Sequence, residues 1–228
     1  MDTVGRLLVE HTFEAIVDAG YHPDELKSSR TGVFIAFCLP ESENYWFYKN
    51  QSSHNFGGTG CQRSMQPQWI SQIFQFEGPS VCCDTACSSS LSAVDLACRA
   101  INIGECDSAI VGAGTLCLNP NTMVQFHKLG MLSKNGACKA FDKDADGFVK
   151  SEAVSVIFLQ KMKDARRIYA HIVHIKVNCD GYKQHGIMYP SDVDKKLLYS
   201  EFYKECNVDP NTVYYVEHAN SVTKVEIQ

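Results

Sequence analysis

Apolar residues recur along the chain with two periods, one typical of helices and one typical of buried strands. Helical spacing predicts helices over residues 7–19, 88–103 and 191–206. Short runs of β-branched and other apolar residues predict strands over residues 31–37, 80–83, 107–114, 154–159, 171–177 and 213–217. Residues 39–60, rich in Asn, Ser and Gly, are predicted to form a loop. Because strands alternate with helices, and no linker or repeat interrupts them, the pattern indicates one α/β domain with a largely buried sheet.

Individual residues mark the ends and the buried face of these helices. Gly20 and Gly104 stand where the first two helices should end, and Ser191 stands where the third should begin. One apolar stripe of the second helix is expected to pack on the sheet. Its members are Leu91, Val94, Ala97, Cys98 and Ile101.

Composition and charge exclude two classes of partner. The 228 residues carry a formal net charge of −5, so the chain lacks the basic face that nucleic-acid binding needs. No apolar run reaches the roughly 18 residues of a membrane-spanning helix. The first twenty residues lack the basic and apolar regions of a signal peptide. The expectation is a cytoplasmic protein that binds neither membrane nor nucleic acid.

Eleven cysteines are the most unusual feature of the composition. Their number is odd and no two of them form a C-x-x-C pair, which argues against a disulfide framework and a structural zinc site. We expect reduced thiols that mostly pack as small apolar side chains. They are Cys38, Cys61, Cys82, Cys83, Cys87, Cys98, Cys106, Cys117, Cys138, Cys179 and Cys206.

Two patterns resemble metal sites, and both depart from the spacing that ligands need. Residues 142–147 (DKDADG) match the start of a calcium loop, but Ala153 occupies its twelfth position and Glu152 comes one residue early. His171 and His174 are three residues apart on a predicted strand, so they should point to opposite faces. Five further histidines are not spaced as the ligands of a metal ion: His11, His22, His54, His127 and His185. No metal site is expected.

One cysteine occupies a position suited to catalysis. Residues 84–91 read DTACSSSL, and they join a short predicted strand to the start of a predicted helix. Cys87 would therefore lie at a helix N-terminus, where the helix dipole and free N–H groups favour the thiolate. The same N–H groups can stabilise an oxyanion on a thioester or ester carbonyl. Alternatively, Cys87 is a structural thiol beside Cys82 and Cys83. The spacing of the residues alone leaves both hypotheses open.

The eight residues DTACSSSL resemble the active-site signature of β-ketoacyl synthases, the condensing enzymes of fatty acid and polyketide synthesis. Residues 78–114 and 119–154 are similar to the family's nucleophile segment and the segment after it. Residues 6–20 and 29–37 are similar to an earlier helix and strand. Within the family, GCQRSM, PNTMVQFHKLGML and ARRIYAHI resemble animal-type fatty acid synthase most.

The resemblance implies a thiolase-like fold of two similar halves in α/β/α/β/α layers, in a family that is dimeric. Cys87 would accept an acyl chain from the phosphopantetheine thioester of an acyl carrier protein. The acyl-enzyme would then condense with a malonyl thioester and release carbon dioxide. No cofactor is expected on the chain itself, because phosphopantetheine is the carrier's substrate arm.

Two histidines and a lysine assist this reaction in the family. The first histidine stands in E-A-H-G-T-G-T after a strand, here residues 213–217. Aligned without a gap, Ala219 occupies the histidine position and His218 comes one residue early. Ser221 and Thr223 stand at the positions expected to meet the pantetheine arm. The second histidine and the lysine belong to the family's C-terminal half.

We therefore expect residues 1–228 to be a partial synthase domain, mainly the N-terminal half, without the extreme N-terminus and the C-terminal half. Half of a two-halved fold would expose an apolar face. Three other functions stay open: a catalytically incompetent fragment or partner-binding relic, a polyketide ketosynthase, and an unrelated cysteine hydrolase or acyltransferase.

Overall fold

A mixed sheet organises the first of two compact units, which comprises Met1–Leu118 and Ser151–His171. The computed structural model describes residues 1–45, 57–139, 142–184, 186 and 190–217. Its strands are β1 (Thr31–Ala36), β2 (Ser80–Cys83), β3 (Ser108–Thr115) and β4 (Ala153–Gln160). In the described residues their order is β2-β1-β3-β4. β1 pairs in parallel with both β2 and β3, whereas β4 runs antiparallel to β3.

Helices cover both faces of this sheet. They are α1 (Thr3–Asp18), α2 (Glu41–Asn44), α3 (Gly57–Cys61), α4 (Met65–Phe74) and α5 (Ser89–Ile103). Val33 and Ile35 of β1 join the apolar cluster formed with α1 and α4. Phe34 and Ala36 join the cluster formed with α5. Successive side chains of a strand point to opposite faces, so the fully buried β1 serves both layers at once.

Close backbone packing explains one glycine just before β2. A Cβ atom added at Gly78 would lie 2.5 Å from the backbone carbon and oxygen of Thr31. Only glycine permits this approach without a shift of the chain. The contact seats the segment that leads into β2 against the start of β1.

The second unit comprises Asn119–Lys150 and Ile172–Gln228. It contains α6 (Pro120–Lys128) and α7 (Asp192–Cys206). Phe126 of α6 packs edge-on against Phe148, with ring centroids 5.7 Å apart. No helix in the described part of the chain is long and apolar enough to span a bilayer.

Most of the predicted elements are confirmed. The strands over residues 31–37, 80–83, 107–114 and 154–159 are present with ends that differ by one residue at most. The second and third helices are present as well, and Ser191 caps α7 by accepting a hydrogen bond from Asp194 N. The first begins earlier than predicted, and Gly20 lies two residues beyond its end.

Four expectations are wrong in whole or in part. Residues 171–177 and 213–217 are not strands, since neither segment pairs with a strand among the described residues and a strand needs such a partner to satisfy its backbone. Residues 39–60 are not all loop, because α2 and most of α3 fall within them. Leu91 is 67% exposed, although Ala97 and Ile101 of the same predicted stripe are buried together with Ala93 and Ala100.

Candidate active site around Cys87

Cys87 lies in a single 3₁₀ turn, Ala86–Ser88, that leads from β2 into α5. Its side chain is exposed. The position predicted from the sequence, at a helix N-terminus directly after a strand, is therefore found in the structure. The first N–H groups of a helix have no acceptor inside the helix, so they are available to a ligand.

The residue before the cysteine has an uncommon backbone conformation. Ala86 has a φ of +53°, in the left-handed region that costs a non-glycine residue about 1–2 kcal/mol. Its N–H donates to Oδ1 of Asp84 at 3.1 Å. Asp84 is in turn paired with Arg63. Backbone strain of this kind persists only where neighbouring contacts hold it, and such positions cluster at functional sites.

Hydroxyl groups at the start of α5 hold the turn from one side. Ser89 Oγ donates to the Ala86 carbonyl at 2.6 Å and accepts from Thr85 N at 2.8 Å. Ser88 Oγ donates to the Thr85 carbonyl at 2.9 Å. Ser89 is only 3% exposed, so its two bonds are partly shielded from water, whereas the Ser88 bond is exposed.

A second cysteine contacts the same turn from the end of β1. Cys38 Sγ lies 3.2 Å from the Ala86 carbonyl oxygen and 3.4 Å from Ser89 Oγ. Phe37, the preceding residue, donates its N–H to the Cys83 carbonyl at 3.2 Å. The parallel β1–β2 pair therefore brings Cys38 to the turn that carries Cys87.

Three cysteines near this turn are partly buried, and burial makes their thiols harder to ionise. Burial raises the pKa of the Cys82 thiol to about 11. Burial also raises the pKa of Cys38 and of Cys83 above the ordinary value. These three side chains therefore remain neutral thiols near neutral pH, and Cys87 is the exposed thiol of the group.

The geometry of the other site residues predicted from the family resemblance is not described. His218, Ser221 and Thr223 lie outside the described residues. Their roles, and the role of Cys87 as the nucleophile, stay predictions.

The acidic segment and the paired histidines have contacts of their own. Asp146 accepts hydrogen bonds from Ser133 Oγ and Lys139 Nζ, each at 3.0 Å. The predicted strand under His171 and His174 is absent, and His174 Nε2 lies 3.0 Å from a Glu205 carboxylate oxygen. In the part of the chain that the structure describes, no group of three or more His, Cys, Asp or Glu side chains could hold a metal ion.

Sequence reasoning missed Cys38 and Arg63 and treated Ser89 only as a small neighbour. A signal for Cys38 was present, because it follows a buried strand parallel to the one before Cys87. Parallel strands end at the same edge of a sheet, so residues after both strands meet there.

Comparison with known families settles the ancestry of this site. The model "Beta-ketoacyl synthase, N-terminal domain" matches residues 1–165. The chain belongs to the β-ketoacyl synthase family. The model of the synthase C-terminal domain matches residues 169–226. The family membership predicted from the sequence is thereby confirmed. The predicted domain boundaries stay a prediction.

Relatives of this synthase chain include fatty acid and polyketide synthases. A fatty acid synthase from Anser anser anser is 44% identical over 225 residues, which cover 99% of this chain and 64% of the relative. A probable polyketide synthase 1 from Dictyostelium discoideum is 36% identical over 232 residues, covering 99% of this chain and 7% of the relative. The chain thus spans less than two thirds of either protein.

Solved ketosynthases share the fold. The ketosynthase from module 6 of the bacillaene synthase of Bacillus subtilis 168 superposes with a TM-score of 0.79 at 30% identity. The match covers 93% of this chain and 37% of that structure. The predicted thiolase-like fold, represented here by part of it, is confirmed.

Proposed function

We propose that this chain carries the acyl-accepting half of a β-ketoacyl synthase, with Cys87 as the nucleophile. The observation that supports it most is the placement of an exposed thiol, within DTACSSSL, on a strained turn at the N-terminus of α5. A thiolate there can attack a carbonyl while neighbouring N–H groups face the developing oxyanion.

The reaction proposed for Cys87 is a transthioesterification. The thiolate sulfur forms a bond to the carbonyl carbon of an acyl thioester, and the carbonyl electrons move to oxygen. Collapse of this intermediate breaks the bond to the pantetheine sulfur. The pantetheine thiolate leaves and takes a proton from solvent, and the acyl group remains on Cys87 as a thioester.

The proposed donor is the phosphopantetheine arm of an acyl carrier protein, and the proposed pathway is fatty acid synthesis. The 44% identity to the goose fatty acid synthase, against 36% for the polyketide synthases, supports that choice. A polyketide ketosynthase is the second candidate, because those relatives also match nearly the whole chain. Homodimer formation and a cytoplasmic location belong to the same proposal.

Condensation with a malonyl thioester is not expected of this chain alone. In the family it uses two histidines and a lysine, and here Ala219 replaces the first histidine while His218 precedes it. A shift of about 1 Å in a catalytic group can cost roughly 100-fold in rate. We expect the chain to stop at the acyl-enzyme.

Labelling by an acyl thioester tests the proposal. With a radiolabelled acyl-pantetheine donor, the wild-type chain should gain one hydroxylamine-sensitive acyl group, and Cys87→Ala should gain none. Cys98→Ala is the matched control, because Cys98 is a half-buried thiol of α5, eleven residues after Cys87 in the chain. Label retained in Cys87→Ala would place the acyl group elsewhere, and an unlabelled wild type would favour an incompetent relic. Robust condensation with malonyl thioester would contradict the expectation that the reaction stops early.

A further inference from the structure

The peptide group between Ala86 and Cys87 holds the Ala86 carbonyl and the Cys87 N–H in one rigid plane. A trans peptide is planar, and its carbonyl and N–H point in opposite directions. Whatever fixes the direction of the Ala86 carbonyl therefore also fixes the direction of the Cys87 N–H. That N–H belongs to Cys87 itself, the residue that carries the sulfur.

Donors from two parts of the fold converge on the Ala86 carbonyl. Ser89 contributes its hydroxyl at 2.6 Å and its own backbone N–H. Cys38 contributes its thiol at 3.2 Å, from 48 residues earlier in the chain. Ser89 belongs to the helix that the turn begins, whereas Cys38 follows the central strand β1. Of these two residues, Cys38 is the one that connects the turn to β1.

We propose that Cys38 is a positioning residue whose thiol, by donating to the Ala86 carbonyl, aims the Cys87 N–H at the oxyanion formed during acyl transfer. This inference rests on the function proposed for Cys87 and adds a residue to it. The described contacts of the Cys38 thiol are to the Ala86 carbonyl and Ser89 Oγ, so the effect that we propose passes through the peptide plane.

Two physical features suit the Cys38 thiol to this role. Burial raises its pKa, so the group keeps its proton and remains a donor near neutral pH. A hydrogen bond to a carbonyl also polarises the amide, which strengthens the N–H at its other end. Because the thiol is a weak donor, we expect its hydrogen bond to orient the 86–87 peptide more than to stabilise the fold.

Nuclear magnetic resonance can observe this peptide group directly. The sequence contains three Ala–Cys dipeptides, at 86–87, 97–98 and 137–138. Labelling alanine carbonyls with ¹³C and cysteine amides with ¹⁵N gives one cross-peak for each of them. In Cys38→Ala we expect the 86–87 peak to shift in both dimensions and the other two to stay. Cys38→Ser, which keeps a donor, should move the 86–87 peak back towards the wild-type position. An unmoved 86–87 peak in Cys38→Ala overturns the proposal, whether or not the chain accepts acyl groups.

Two reactions of Cys87 separate positioning of the amide from general damage. Transfer from an acyl thioester needs an oxyanion donor, whereas alkylation by iodoacetamide does not. We expect Cys38→Ala to slow acyl transfer roughly tenfold, less than the loss of about 10²–10³ on removing an oxyanion donor, and to leave Cys87 alkylation within about twofold. Cys38→Ser should restore transfer, and Cys98→Ala should change neither rate.

The two reactions also distinguish failure of this inference from failure of the proposed function. Equal losses in transfer and alkylation, with a lower melting temperature, would make Cys38 a purely structural residue and overturn the inference. A wild type that accepts no acyl group contradicts the proposed function, and the 86–87 cross-peak then decides whether Cys38 still fixes the peptide.

Discussion

At the scale of single residues, the candidate site contains one exposed thiol and several partly buried ones. Cys82 precedes Cys87 by five positions, yet burial raises its pKa to about 11 from 9.0. At pH 8 its thiolate fraction is about 100-fold below that of an ordinary cysteine, since each pKa unit is a factor of ten. A thiol reagent should therefore distinguish these cysteines by environment.

We expect iodoacetamide to modify Cys87 well before Cys82 at pH 8. Modification of Cys82 should rise steeply only as the pH approaches 11. The folded state favours the neutral Cys82 thiol, so the stability linked to it is present below pH 9 and is lost as the pH rises towards 11. Mass spectrometry of tryptic peptides, read at several pH values, gives both rates. Equal rates at pH 8 would show that Cys82 is not protected by burial, and unfolding in urea supplies the control in which the two should converge.

At the scale of elements, the end of α5 offers a clean measure of backbone strain. Gly104 caps this helix with a φ of +80°, and no heavy atom lies within 4 Å of a Cβ built there. Gly104→Ala should therefore lower the free energy of unfolding by about 1–2 kcal/mol through conformation alone. Gly104→Asn should lower the free energy of unfolding by less, because asparagine tolerates the left-handed region. Urea unfolding measures both, and an Ala variant as stable as the wild type would contradict the strain argument.

The sequence predicts those elements whose signal is local. Apolar runs located β1 to β4, because each of these runs has a pairing partner in the sheet, and glycine marked the end of α5. The same kind of run at residues 171–177 and 213–217 gave no strand, since apolar composition does not supply a pairing partner. Leu91 shows a similar limit, because helical spacing does not say which side of α5 meets the sheet.

The candidate site also contains residues with a local sequence signal and residues without one. Cys87 was found from its signature and from the local strand-to-helix order around it. Cys38 was not, because its contact with Ala86 spans 48 residues and exists only through the pairing of β1 with β2. Long-range contacts of this kind follow from topology, which periodicity does not encode.

At the scale of the whole molecule, the structure exposes apolar side chains next to buried ones. Ile103 of α5 is 71% exposed, whereas Ile101 is 6% exposed. A polar side chain in place of Ile103 should cost little free energy of unfolding. In place of Ile101 it should cost much, because it would be buried and would displace packed apolar atoms.

We expect Ile103→Gln to leave the free energy of unfolding within about 0.5 kcal/mol of wild type and to improve solubility. The matched variant Ile101→Gln should cost about 3 kcal/mol or more. Denaturant unfolding and sedimentation measure these effects. A large loss of stability in Ile103→Gln would show that this face is covered in solution.

The central place of β1 in the sheet also governs the order in which the protein can fold. β1 is the first strand along the chain, but both of its neighbours follow it, β2 after about forty residues and β3 after about seventy. Such non-local parallel pairings close slowly. We therefore expect β1 to pair late, and the turn that carries Cys87 can contact Cys38 only once β2 has paired with β1. We therefore expect the Cys87 thiol to reach its final position late in folding, when the sheet that supports it is already assembled.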